Sequence, residues 1–399
     1  MAKAADARSS GAHIVDIPIT KLFSKQGVRY ARVPTEDCEQ GFKDIPLTSA
    51  PGRRSGLLRL LGQLACIGCF LVGRKCGPTL LVALIVYIFF SGYLALAVIL
   101  ATSMRALYNL CDTLLYHPEQ PETSRSHVDL PLIYNLPFED VTIKTSDNIR
   151  IHGFLIKQAD FEKAPTVLYL HGNAGNVGHR LPHAQEMYHT TKVNLLLLEY
   201  RGYGRSEGHP SENGLYKDAQ AGIEFLFNHP AVNKKLILVF GRSLGGAVAI
   251  NLASHQRYAS RLAGLILENT FTSIPSLTKV IIPYKAIRYV PRLFYKNVFA
   301  SEDRVSRVQC PVLFISGLAD TLIPPSMMKT LYNKCGSNFK LLATFESGNH
   351  NQTWQCKGYL KICIDFLETI KKEVDEENGP ERTVWPINKQ NIHVIADVI

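Results

Sequence analysis

The sequence predicts an α/β fold: a mostly parallel central sheet with helices on both faces, a small cap, and a transmembrane helix ahead of it. Three observations carry this. Short, nearly continuous apolar runs recur between stretches of helical length, the pattern of strands covered on both faces. An antiparallel hairpin opens the series. Ahead of both, no residue between Lys75 and Arg105 is charged.

At 399 residues the chain can hold one large domain plus appendages, and 46% hydrophobic residues supply a core. The net charge of +10 is not gathered into the basic blocks that bind nucleic acid, so that partner class is set aside. Residues 1–52 mix charge and apolar groups without a period and read as a flexible cytoplasmic tail. Arg53, Arg54, Arg59, Arg74 and Lys75 precede the uncharged stretch, in which Leu80 to Leu100 is almost wholly apolar. About 20 such residues cross a bilayer. The polar start and the lack of a small-residue cleavage site point to a retained signal-anchor. The basic N-terminal flank, against an acidic-leaning stretch from Glu119 to Glu139, predicts a single-pass type II arrangement. The C-terminal domain is then lumenal or extracellular. Leu57 to Val72, interrupted by Arg59, is expected to lie along the interface; inserted, it would form a hairpin with the next segment and return the domain to the cytoplasm. Cys66, Cys69 and Cys76 read as packing groups ahead of acylation sites.

The expected organisation is a cytoplasmic tail and juxtamembrane segment over 1–76, a transmembrane helix over 77–104 and a Pro-rich linker over 105–137. A folded domain over 138–372, with its cap at about 273–308, and a C-terminal tail over 373–399 follow. Within the domain, Val141 to Lys144 and Ile149 to Ile156 alternate around the turn Ser146-Asp147-Asn148, giving the hairpin. Buried strands are expected at Thr166 to Leu170, Val193 to Leu198, Leu236 to Phe240, Leu262 to Leu267, Val312 to Ile315 and Leu341 to Phe345. Helices are expected at Arg180 to Thr190, Glu212 to Asn228, Leu244 to His255, Met327 to Lys334 and Thr353 to Lys371. Ser273 to Val308 is long for a connection, and apolar and basic together; it reads as a cap.

Gly241-Arg242-Ser243-Leu244-Gly245 falls between a strand and a buried helix. A serine hydroxyl is a weak nucleophile unless held clear of the chain beside a base, and a strained strand-to-helix turn does that. Asp320 follows the strand Val312 to Ile315, and His350 follows Leu341 to Phe345. The order Ser243, Asp320, His350 supplies nucleophile, orienting acid and base. His171-Gly172-Asn173-Ala174-Gly175-Asn176, directly after the strand Thr166 to Leu170, offers backbone N–H groups to a developing oxyanion. Asn173 is the first expected donor and Leu244 the second.

Glu268 is a second candidate acid, ranked below Asp320, with the role of holding the Asn269-Thr270-Phe271 loop. Glu199 and Arg201 read as loop anchors. His183, Glu186 and His189 share a helix in neither of the usual zinc spacings, so no metal is assigned, and no cofactor either. Cys310, Cys335, Cys356 and Cys363 read as buried thiols, with bridging open to a lumenal domain. Asn351-Gln352-Thr353 is the sole N-glycosylation sequence and makes Asn351 the candidate acceptor, immediately beside His350.

His171 to Asn176, Leu198 to Gly208, Gly241 to Ala249, Ser347 to Asn351 and Tyr116-His117-Pro118-Glu119-Gln120-Pro121 together resemble the Bem46-like branch of the alpha/beta-hydrolase superfamily. The resemblance covers roughly Leu107 to Lys371. It implies the alpha/beta-hydrolase fold, a single-span type II membrane protein and a serine-hydrolase triad at Ser243, Asp320 and His350. Glu199 stands where related members usually carry aspartate, and the N-terminal tail is longer than the family leads one to expect. The expected activity is hydrolysis of carboxylic esters, acyl-lipid or lysophospholipid-like, through an acyl-enzyme on Ser243, beside membrane lipids and with no protein partner assigned. A peptidase, amidase or thioesterase of the same fold is the alternative among enzymes. Outside enzymes it is a non-catalytic membrane scaffold; Asp397-Val398-Ile399 resembles a weak PDZ ligand, which supports a scaffold only with a cytoplasmic C-terminus.

Overall fold

The computed structural model describes residues 77–89, 91–282, 288–377 and 392–395. The tail over 1–52, the segment 57–72 with Cys66 and Cys69, Cys76, the cap residues 283–287 and the Asp397-Val398-Ile399 end lie outside the described residues. The strands are β1 Phe138–Lys144, β2 Arg150–Ile156, β3 Thr166–Leu170, β4 Asn194–Leu198, β5 Ile237–Arg242, β6 Gly264–Glu268, β7 Val312–Gly317, β8 Lys340–Phe345 and β9 Ile392–Ile395. They form one sheet in the order β1-β2-β4-β3-β5-β6-β7-β8-β9. β1 with β2 and β2 with β4 pair antiparallel, and every later pair is parallel.

Among the described residues, the α-helices of eight residues or more are α1 Gly77–Phe89, α2 Gly92–Leu115, α3 Leu181–Thr191, α4 Glu212–Asn228, α5 Leu244–Ala253, α6 Ile274–Ile281, α7 Pro325–Lys334 and α8 Tyr359–Glu377. Side chains alternate across a strand, so each parallel strand feeds two cores. Leu168, Leu196 and Val239 meet α4, α5 and α7 on one face. Val167, Leu195 and Leu238, one residue earlier, meet α3 and α8 on the other. The C-terminal ends of β3, β5, β6, β7 and β8 therefore open on one edge, where ligands bind in folds of this kind.

Three elements differ from expectation. The helix expected at Thr353 to Lys371 begins at Tyr359, after Gly358 at φ 87, and Thr353–Gln355 forms a separate helical turn. β9 extends the sheet past the expected end of the domain at 372; its four residues follow a polar stretch that reads as tail, and they pair with the otherwise open edge of β8. The uninterrupted helix expected over 77–104 is two helices. Ser91 is extended, with φ −172 and ψ 155, and its hydroxyl oxygen caps α2 by accepting from Leu94 N–H at 3.3 Å. α1 folds back along α2, burying Ala83 and Ala95 at the contact. By length and composition, α2 is the one helix among the described residues able to cross a membrane.

The cap contributes α6 and a helical turn at Arg292–Phe294, and exposes Val280, Tyr289, Leu293 and Phe294. It is joined to α2. Asn297 Nδ2 donates to Asp112 Oδ1 at 2.7 Å, Lys296 pairs with the same carboxylate, and Tyr116 donates to Asn297 Oδ1 at 2.9 Å.

Candidate active site

Ser243 lies between β5 and α5 with φ 54 and ψ −119, a conformation that side chains rarely adopt. The neighbouring glycines make it sterically accessible. A Cβ on Gly245 would collide with the Leu170 carbonyl oxygen at the end of β3, and one on Gly241 with the Gly245 carbonyl oxygen. Ser243 N–H donates to the Glu268 carbonyl at 2.9 Å, and the Thr270 hydroxyl donates to the Ser243 carbonyl at 2.7 Å. The turn is thereby fixed to the end of β6.

The structure brings Ser243, Asp320 and His350 together. Asp320 Oδ1 accepts from the Leu322 and Ile323 amides, each at 2.8 Å, which turns Oδ2 towards His350 Nδ1 at 2.7 Å. With Nδ1 protonated towards that carboxylate, Nε2 presents its lone pair to Ser243 Oγ, 3.1 Å away. The Asp320 side chain is 1% exposed and that of His350 13%, so the acid is shielded while the base reaches the site opening.

The loop after β3 runs beside the serine: a Cβ placed on Gly172 would sit 3.7 Å from Ser243 Cβ. The Asn173 carbonyl accepts from His117 N–H at 3.0 Å and from Tyr203 Oη at 2.8 Å, and Asn173 Nδ2 donates to the Leu115 carbonyl at 3.1 Å. None of these bonds uses the Asn173 backbone N–H. Leu244 N–H lies in the first turn of α5, where amides have no partner within the helix. Glu199 holds the loop from beneath: fully buried, its carboxylate lies 3.2 Å from His171 Nε2 and accepts from Val177 N–H at 3.1 Å.

Glu268 is held by partners outside this group. Its carboxylate accepts from Tyr359 Oη at 2.6 Å and lies 3.5 Å from Arg242 Nε. Burial pushes its pKa up, and the Arg242 charge opposes that rise. Arg242 is a residue to which the sequence reading gave no role. Its guanidinium donates to the His350 carbonyl at 2.7 Å and to Asn351 Oδ1 at 2.6 Å, clamping the loop that carries His350. The only local signal was its place beside Ser243. Asn269 makes a second tie, donating to Thr353 Oγ1 at 2.9 Å and accepting from Gly317 N–H at 2.8 Å.

Arg201 anchors its loop through Asp147, at 2.8 and 2.9 Å, and through Asp218 at 2.9 Å. That guanidinium holds the Asp147 carboxyl well below the usual range. His183 is buried, with Nδ1 3.0 Å from Tyr169 Oη and its ring against Phe240, Trp354 and Tyr359. Burial lowers its pKa to about 3. Cys310, Cys335 and Cys363 are buried free thiols, and burial pushes Cys310 up to about 12. Cys356, expected buried, is half-buried, with its sulfur 3.6 Å from Ser347 Oγ. Asn351 is exposed, but Thr353 is buried and its hydroxyl donates to the Asn349 carbonyl at 2.6 Å. The glycosylation sequence is thus folded into the His350 loop.

The serine aminopeptidase (S33) family model matches residues 162–298. Protein bem46 of Schizosaccharomyces pombe is 39% identical over 280 residues, covering 70% of this chain and 92% of the relative. An uncharacterized membrane protein of Saccharomyces cerevisiae is 37% identical over 281 residues, covering 70% of this chain and 95% of the relative. Among solved structures, an esterase of Pyrococcus furiosus matches with a TM-score of 0.52 at 20% identity, over 64% of this chain and 97% of that one, a likeness of fold alone. By its sheet, its strand-to-helix turn and these relatives, the chain belongs to the Bem46-like family of alpha/beta hydrolases.

Proposed function

We propose that the protein is a membrane-anchored serine hydrolase that cleaves carboxylic esters of acyl lipids, lysophospholipid-like ones among them, through an acyl-enzyme on Ser243. The observation that supports this most is the chain of contacts from Asp320 Oδ2 to His350 Nδ1 at 2.7 Å and from His350 Nε2 to Ser243 Oγ at 3.1 Å. His350 Nε2 takes the serine proton as Oγ attacks the ester carbonyl, and Asp320 stabilises the imidazolium. The Asn173 and Leu244 amides donate to the oxyanion that forms on the ester carbonyl oxygen. The imidazolium then gives its proton to the leaving alkoxide. Water, deprotonated by the same nitrogen, attacks the acyl-enzyme, releases the acid and restores the Ser243 hydroxyl.

Exposed Val280, Leu293 and Phe294 on the cap, which is bonded through Asn297 to the apolar helix α2, support a lipid substrate. The yeast relative described as a membrane protein supports membrane association. Such an anchor has two orientations: single-pass type II with a lumenal domain, or a domain facing the cytoplasm. A second reading, amide cleavage, is favoured by the aminopeptidase family model. Matched ester, thioester and amide substrates separate the chemistries.

Labelling by a fluorophosphonate probe tests the reading, because the probe reports an activated serine independent of substrate. Detergent-solubilised wild type should label, and Ser243→Ala and His350→Ala should not. Turnover of the preferred ester should fall at least about 1000-fold in either variant. If well-folded wild type stays unlabelled even with added lipid, the catalytic reading fails and the membrane scaffold replaces it.

A further inference from the structure

We infer that α1 and α2 form a re-entrant hairpin, entering and leaving the bilayer through its cytoplasmic face, so that the residues before Gly77 and the hydrolase domain lie on the same side. Whether Ser243 is catalytic does not bear on this inference.

Length is the first argument. α1 has 13 residues. At about 1.5 Å per residue that is about 20 Å, well short of a hydrocarbon core about 30 Å thick. α2 has 24 residues, but its final turns belong to the domain. Asp112 holds Lys296 and Asn297 of the cap, Lys296 lies 5.1 Å from the Tyr108 ring centroid, and Leu115 packs against the core. What remains free is Gly92 to Arg105, again about 20 Å. Neither helix reaches across, and an apolar helix of this length is characteristic of re-entrant and interfacial segments.

Packing is the second. Ala83 and Ala95 are 4% and 6% exposed on helices whose other faces are open. Small residues of this kind let helices approach closely in lipid. The Tyr87 ring lies 3.4 Å from where a Cβ on Gly92 would stand, so the glycine leaves room for the ring over the turn.

Ser91 also has partners for its own polar groups at the turn, which hydrocarbon demands. Ser91 N–H donates to the Val86 carbonyl at 3.3 Å, the Ser91 carbonyl accepts from Ala95 N–H at 3.2 Å, and Ser91 Oγ accepts from Leu94 N–H at 3.3 Å. Outward-facing Leu81, Ile85, Ile88, Leu96, Ile99 and Leu100 are exposed, which fits acyl chains as the occupant. Charge chooses the face. Arg74 and Lys75 immediately precede α1 in the sequence, and Arg105 ends the free part of α2, so both legs of the hairpin end in positive charge. The positive-inside rule assigns both ends to the cytoplasm.

The test is protease protection in sealed microsomes, with one epitope ahead of Met1 and another after Ile399. It is run on the full chain and on a form lacking 57–72, in which α1 and α2 alone can hold the membrane. In both forms, external protease should remove both epitopes while the protein stays in the membrane pellet in alkaline carbonate. Protection of one epitope alone in the form lacking 57–72 overturns the inference. So does release into the carbonate supernatant, which would mean that a second copy or another protein covers the apolar faces. A glycan on Asn351 would place the domain in the lumen and overturn it equally.

Discussion

Asp320 divides its carboxylate between two tasks, one oxygen fixed by the Leu322 and Ile323 amides and the other held against His350. Asp320→Asn separates them: Oδ1 still accepts from the amides, while the NH2 group now donates towards Nδ1 and stabilises the wrong tautomer. In the proposed mechanism kcat should fall by roughly 10000-fold with the melting temperature nearly unchanged. A loss below tenfold, measured on protein of native circular dichroism, would remove Asp320 from the role of orienting acid. Ser243, Asp320 and His350 were legible as residues because each follows an apolar run of strand length that ends in a turn, which puts all three at one edge of the sheet. Arg242 was not, because its contacts with His350 and Asn351 cross more than a hundred positions of sequence and no local pattern encodes them.

Among elements, the junction of β5 and α5 tolerates the least change. Gly245→Ala drives a methyl group into the Leu170 carbonyl oxygen, a backbone atom of β3 with no room to move. The expected cost is about 3 kcal/mol, read as a lower urea midpoint with an unchanged slope. A midpoint equal to wild type would show that the strand and helix can separate. Most strands, and α4 to the residue, follow from apolar periodicity alone. The break at Ser91 does not, since hydropathy treats a Ser-Gly pair inside an apolar run as continuous helix. The cap bond to Leu94 and the return of α1 along α2 decide it. The late start of α8 has a similar origin: the Thr353 hydroxyl is engaged with Asn349 and Asn269, which pulls its segment out of the helix.

At the scale of the whole molecule, buried His183 and half-buried His179 should help set the acid limit of stability. Burial lowers His183 to about 3, and His179 to about 4. An unfolded histidine titrates near 6.5, so as pH falls below that value the unfolded chain takes up protons that the folded chain refuses, and stability drops. For His183 alone, the change from pH 7 to pH 5 should remove about 2 kcal/mol. Denaturant melts at the two pH values measure this, and His183→Phe should flatten the dependence; an unchanged slope would assign the acid limit to other groups. The alternation of strands and helices made the sheet legible at this scale, but the pairing of β9 with β8 and the bond from Asp112 to the cap are contacts between distant parts, invisible to any window along the chain. On the proposed function, that last bond has a kinetic consequence. With α2 in a bilayer it would hold the cap at a set height above the lipid surface, so the search for a lipid ester would run over an area rather than through a volume. Turnover should then follow the mole fraction of ester in the lipid sheet, with inert lipid diluting the substrate as solvent would for a soluble enzyme.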